Sequence, residues 1–185
     1  MARIPYFDPA QATGKVKQQF DALPDLNIFR MLAHSGDLMD GFSRFGGYLL
    51  NKTELDPVLR EIAIIRVGVL SGATYEAHQH RRIGRRIGMS DALIAGIDEG
   101  PAAAVFTPLQ RQVMEFTDDV VKNVRAGDAT FDPLVKALGY KQIQELTITI
   151  GYYMLVSRFL ETFDVEIEAA DKAPSDDQMP GVRKP

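Results

Sequence analysis

Apolar residues recur along most of this chain at a spacing of three and four, and turn residues punctuate the runs. That period predicts helices at about 9–22, 27–35, 37–51, 56–71, 74–87, 90–98, 107–125, 131–138 and 140–167. Nowhere does period-two alternation persist long enough to predict a strand. The run ELTITIGYYM is rich in β-branched residues, but it continues through MLVSRFLETF without a turn, which favours a helix. Asp8-Pro9, Asp56-Pro57 and Asp132-Pro133 read as an N-cap followed by an N1 proline. Thr107 and Gln110 form a capping-box pattern, Ser90 can cap the helix after it, and Gly88 and Gly139 suit C′ positions. The pattern predicts one all-α domain over residues 1–170. A polar, proline-rich tail over 171–185 is expected to be flexible.

The segment LREIAIIRVGVLSGATYEAHQH, Leu59 to His80, departs from simple amphipathicity. Its first half is apolar almost all round, so that helix should be central. Glu61 shares a stripe with Val58, Ile65 and Gly68, where the glycine leaves room, while Arg60 and Ser71 mark the expected solvent edge. Burial of a carboxylate raises its pKa unless it is paired, which suits a general acid near neutral pH. The competing reading makes Glu61 a structural partner of Arg66 or of an arginine on another helix. In the second half, Glu76 and His80 stand four apart on a stripe continued by Ile83 and Ile87. Arg81, Arg82, Arg85 and Arg86 cover the opposite, wet side. An inward Glu–His pair is a proton relay or a satisfied buried hydrogen bond. His78 falls off this stripe, and His34 stands alone.

Composition narrows the chemistry. The chain has no cysteine, which excludes thiol nucleophiles, disulfides and cysteine-ligated metals. Glu61, Glu76 and His80 could offer metal ligands, but no HExxH order is present and no metal site is expected. A net charge of −4 gives no basic footprint for nucleic acid. The longest apolar stretch, IAIIRVGVL, is far short of the roughly 20 residues of a membrane span. The N-terminus lacks the apolar core of a secretory signal, so a cytoplasmic protein is expected. Arg60-Glu61-Ile62-Ala63-Ile64 and Gln144-Glu145-Leu146-Thr147-Ile148 form a faint internal repeat, each opening an apolar helix.

At these residues the chain resembles the carboxymuconolactone decarboxylase and alkylhydroperoxidase D superfamily. The likeness runs from about Asn27 to Ile97 and is strongest over LDPVLREIAIIRVGVLSGATYEAHQH and IGMSDALIAGI; YYMLVSRFLETFDVE resembles the final helix of cysteine-free members. The peroxidase branch carries Cys-x-x-Cys-x-x-x-His, with a glutamate twelve residues before the first cysteine. Counted back from His80, those cysteine positions hold Ala73 and Glu76, and the glutamate is Glu61. Tyr75 stands where some members have a histidine. Thiol peroxidase chemistry needs an attacking and a resolving thiol, and this chain supplies neither.

The Tyr-Glu-x-x-x-His version resembles the decarboxylase-like branch. This implies an all-α helical bundle with a central antiparallel helix pair, assembled as a trimer or hexamer. It also implies a cofactor-independent lyase or isomerase acting on a small organic acid or lactone. Glu61 and His80 would protonate or relay, Glu76 would orient His80, and Tyr75 and Arg66 would contact substrate. The alternative is an oligomeric small-ligand-binding protein without thiol peroxidase activity. Aromatic and methionine residues at helical spacing (Met31, Met39, Phe42, Phe45 and Tyr48, then Tyr152, Tyr153, Phe159 and Phe163) suggest a surface for self-association.

Overall fold

A helix apolar on every side has no stable place except inside other helices, and Pro57–Leu70 takes that place in the computed structural model of the protein, which describes residues 1–170 and 172–175. The described residues form an all-α fold: α1 (Gly14–Ala22), α2 (Asn27–Leu32), α3 (Gly36–Asn51), α4 (Pro57–Leu70), α5 (Thr74–Arg86), α6 (Asp91–Glu99), α7 (Pro108–Asn123) and α8 (Asp128–Thr162). Every residue of α4 from Leu59 to Gly68 is buried, and α5, α7 and α8 pack around it. Ile62, Ile64, Ile65 and Val67 are wholly excluded from solvent. Each contributes roughly 1.5–3 kcal/mol by burial.

The start of α4 is fixed by Asp56, whose carboxylate accepts from the N–H groups of Val58 and Leu59 at 2.9 and 3.0 Å, with Pro57 following. After Leu70 the chain reverses at once. Gly72 takes φ +65°, a conformation open to glycine, and Ala73 N–H donates to the Gly68 carbonyl at 2.8 Å. The short turn lays α5 back along α4. A Cβ at Gly68 would stand 3.1 Å from the backbone nitrogen of Ala77, so the room expected beside Glu61 is filled by α5 itself.

Other capping signals behave as their chemistry requires. Thr107 and Gln110 form the reciprocal capping box of α7, Ser90 caps α6, and Gly88 ends α5 with φ +95°. Two expected helix starts shift. Asp8 does cap a turn, but only a 3-10 turn at Pro9–Gln11, and extended residues separate it from α1. Helix α8 begins at Asp128 rather than at Pro133. Asp119 moves that start upstream by accepting from Gly127 N–H and the Thr130 hydroxyl, both at 2.7 Å. Gly139, at φ +72° and ψ 173°, breaks α8 internally where a C′ residue was expected.

The last helix ends at Thr162, short of the expected 167. Asp164 adopts a positive φ, and residues 165–169 run without helical structure back toward the start of α2. There Asn27 donates to the Glu166 carbonyl at 2.8 Å. Most of the tail expected from residue 171 onward lies outside the described residues.

Candidate active site

The α4–α5 reversal places Glu61 and His80 side by side. His80 Nδ1 lies 2.6 Å from Glu61 Oε2, and His80 Nε2 lies 3.1 Å from Glu76 Oε1. The imidazole is thus held between two carboxylates, and all three side chains are buried. The remaining Glu61 oxygen accepts from Arg60 Nε at 3.1 Å. Arg60 was expected at the solvent edge, yet it is only 3% exposed. Its long stem lets the guanidinium reach sideways to the adjacent carboxylate, so the structural reading of Glu61 is partly met, by an arginine other than Arg66.

Burial opposes a charge on His80, but the attraction of Glu61 and the hydrogen bonds to Glu61 and Glu76 outweigh it. Its pKa rises from 6.5 to about 9. The ring carries a proton at neutral pH, with a carboxylate beside each nitrogen. Tyr153 of α8 meets the imidazole edge-on, with ring centroids 4.7 Å apart. Burial, followed by the nearby Glu76 and Glu61, pushes the Tyr153 hydroxyl well above the usual tyrosine range, so it stays protonated.

Tyr75 belongs to a second polar cluster on the same helix. Its hydroxyl donates to Glu168 Oε1 at 2.6 Å, and the Gln79 amide donates to Glu168 Oε2 at the same distance. Asn27 N–H also donates to Oε1 at 2.6 Å. Glu168 arrives from the segment beyond α8 and seals one end of α5. Periodicity gave no signal for Gln79 or Glu168, because their partners are distant in sequence.

Glu76, His80 and Tyr75 line one cavity of about 110 Å³ between α2, α3, α5 and α8. Its other walls are mainly apolar, with Phe29, Phe42, Leu50 and Val156 among them. Gly46 and Gly47 of α3 thin one wall, and a Cβ at Gly46 would collide with the Tyr152 hydroxyl at 2.7 Å. Ser43 also lines the cavity, and its buried hydroxyl has no hydrogen-bond partner.

Arg66 does not join this group. Its Nε and Nη2 bind Asp118 at 2.6 and 2.8 Å, and Nη1 donates to the Ile97 carbonyl at 3.0 Å. A fork-to-fork pair with α7 occupies the guanidinium and ties the two helices, and Arg66 is not among the residues that line the cavity beside Glu76 and His80. His78 is half-buried, and burial with nearby Arg82 lowers its pKa. Among the described residues, no group of three His, Asp or Glu side chains is arranged to hold a metal ion. No helix among them is long and apolar enough to cross a membrane.

Residues 36–119, which span α3 to α7, match the carboxymuconolactone decarboxylase family. A solved alkylhydroperoxidase AhpD core protein from Ralstonia eutropha JMP134, described as peroxidase-related, superposes with a TM-score of 0.80 at 19% identity; 90% of this chain and 92% of that one align. An uncharacterized peroxidase-related protein from Silicibacter sp. TM1040 gives 0.70 at 14% identity, over 80% and 78% of the two chains. A variant of the debrominase Bmp8 in complex with 2,3,4-tribromopyrrole gives 0.69 at 18% identity, over 84% and 83%. No curated protein matches the chain. Residues 36–119 thus resemble the carboxymuconolactone decarboxylase family, and the chain that carries them has the fold of the alkylhydroperoxidase D-like proteins.

Proposed function

We propose that the chain is a cofactor-independent lyase or isomerase that acts on a small organic acid or lactone by acid–base chemistry, through Glu61, His80 and Glu76. The supporting observation is the imidazole held between two carboxylates at 2.6 and 3.1 Å, with one carboxylate on the wall of an apolar cavity. In the resting relay, His80 holds protons on both nitrogens. Transfer from Nε2 to Glu76 makes Glu76 a neutral acid, and the imidazole keeps its Nδ1 proton on Glu61. Glu76 can then protonate a substrate carbanion or enolate, and the reverse sequence abstracts a proton. Arg60 holds Glu61 in place as the ring changes charge. Tyr75, tied to Glu168, shapes the cavity beside Glu76.

Decarboxylation fits this relay, since loss of carbon dioxide leaves a carbanion that must be protonated. The likeness to the debrominase supports a small, apolar ring as the kind of molecule such a fold accommodates. A dehalogenation or peroxide reduction routed through cysteine has no nucleophile in this chain.

The test is turnover across a panel of lactones and keto acids, with wild type beside His80→Ala and the better-packed His80→Gln. Both variants should lose turnover while keeping their helical circular dichroism. Full activity in either sinks the relay. The second reading is a ligand-binding protein without catalysis; saturable binding with no turnover across the panel would favour it. The proposal includes a homo-oligomer. Met31 and Met39 lie in the core, but Phe45 and Tyr48 of α3 and Ile148 and Leu155 of α8 are about half exposed. A monomer in sedimentation at micromolar concentration would remove that part.

A further inference from the structure

The polar atoms around the cavity divide sharply into spent and unspent. Tyr75 and Gln79 donate to Glu168, and the Tyr152 hydroxyl donates to the Phe42 carbonyl at 2.9 Å. Both nitrogens of His80 face carboxylates, and Arg60 is turned to Glu61. Three groups remain. Glu76 has no partner among the described residues other than His80. The Ser43 hydroxyl is buried and unpartnered. Tyr153, 4% exposed, lines the same cavity, and no described residue hydrogen-bonds to its hydroxyl. A buried hydroxyl without a partner, as at Ser43, costs about 1–3 kcal/mol, a cost that a bound ligand would offset.

The charge balance is equally specific. The two cations beside Glu61 and Glu76, Arg60 and His80, each face a carboxylate, and the group presented to a ligand is a carboxylate. An incoming anion would meet Glu76, and no lysine or arginine stands among the described residues that line the cavity; like charges at such contact cost several kcal/mol. The volume, about 110 Å³, suits one small ring; an engineered apolar cavity of about 150 Å³ in another protein admits benzene.

We propose that this cavity takes an uncharged, single-ring molecule bearing a weakly acidic O–H or N–H, such as a phenol or a hydroxylated lactone, and rejects carboxylates. The ligand donates to Glu76 and accepts from the Ser43 and Tyr153 hydroxyls. The inference rests on the proposed acid–base function for treating this cavity as the substrate's place, and within that function it selects the neutral lactone over the organic acid, and so isomerisation by proton transfer over decarboxylation.

Calorimetric titration of the full chain at pH 7 with phenol, benzoate and toluene tests it without requiring turnover. Phenol should saturate one site and bind at least about tenfold tighter than benzoate, given the like-charge cost. Toluene should bind more weakly than phenol. Glu76→Gln should narrow the gap by improving benzoate. Ser43→Ala and Tyr153→Phe should each weaken phenol several-fold. Nuclear Overhauser contacts from phenol to the methyl groups of Ile83 and Val156 should place it in the cavity. Benzoate binding as tightly as phenol, phenol that fails to saturate, or contacts elsewhere would each overturn the proposal. If His80→Gln kept turnover while phenol selectivity held, the relay would fall and the ligand class would stand.

Discussion

Two glutamates open two apolar helices with nearly the same local sequence, and the fold uses them differently. Glu61, in Arg60-Glu61-Ile62-Ala63-Ile64, is wholly buried and faces His80 and Arg60. Glu145, in Gln144-Glu145-Leu146-Thr147-Ile148, is half-buried, and one of its oxygens accepts from the backbone N–H groups of Glu54 and Leu55, both at 2.9 Å. One carboxylate holds a buried imidazole; the other closes the loop in front of α4. The difference comes from the neighbours. Helix α4 is enclosed by three helices, whereas α8 keeps one face in solvent, with Ile148 at 51% exposure. A short pattern places a carboxylate on a helix, and the packing around it decides whether it titrates, pairs or caps.

The contrast is sharpest under substitution. His80→Ala leaves Glu61 and Glu76 buried without their shared cation and should cost about 3–5 kcal/mol in denaturant unfolding. Glu145→Gln keeps an acceptor for the same loop and should cost about 1 kcal/mol or less. Equal costs would break the comparison. The next effect is pH. The folded-state pKa of His80, about 9, exceeds its ordinary 6.5, so the protonated ring favours the fold. That stability is fully present below pH 6.5 and is lost as pH rises toward and through 9, a change of roughly 3 kcal/mol. Thermal melting should fall over that window in wild type and stay flatter in His80→Gln. A flat wild-type profile would show that the imidazole is not charged in the fold.

Smaller effects probe the frame. Asp118→Asn weakens the fork with Arg66 and should cost about 2 kcal/mol, because it leaves a largely buried guanidinium short of its carboxylate. In wild type, burial works against the charge on Asp118, but Arg66 and Lys122 hold its pKa below the usual 3.8. Its contribution is therefore present above pH 3.8 and fades as pH falls below it, and acid titration of Asp118→Asn should lack that component. Gly139→Ala places a side chain at φ +72° and should cost about 1 kcal/mol, with the cavity untouched. Loss of phenol binding in that variant would show that the break in α8 governs the site.

Much of this arrangement was legible in the sequence because it is local. Caps at Asp56, Ser90 and Thr107 and the break at Gly139 follow from single turns of backbone chemistry. The inward Glu76–His80 pair follows from a spacing of four. The inward course of Arg60 was not legible, since helical phase gives the direction of a Cβ and not the reach of a long side chain. The start of α8 depends on Asp119 of the preceding helix, and the role of Glu168 depends on a segment returning from the far end of the chain. Arg66 finds its carboxylate on α7, 52 positions away. Each miss involves a partner that periodicity cannot see.

The contact at Gly68 sets a tolerance. With the Ala77 backbone 3.1 Å from where a Cβ would sit, even one methyl group must push α5 outward by tenths of an ångström, and the Glu61–His80 separation of 2.6 Å lies on the same pair of helices. In a scan of every substitution at every position, Gly68 should therefore stand among the least forgiving sites, although its residue reaches no ligand and carries no charge. A hydrogen atom is the side chain that leaves this contact between α4 and α5 unstrained.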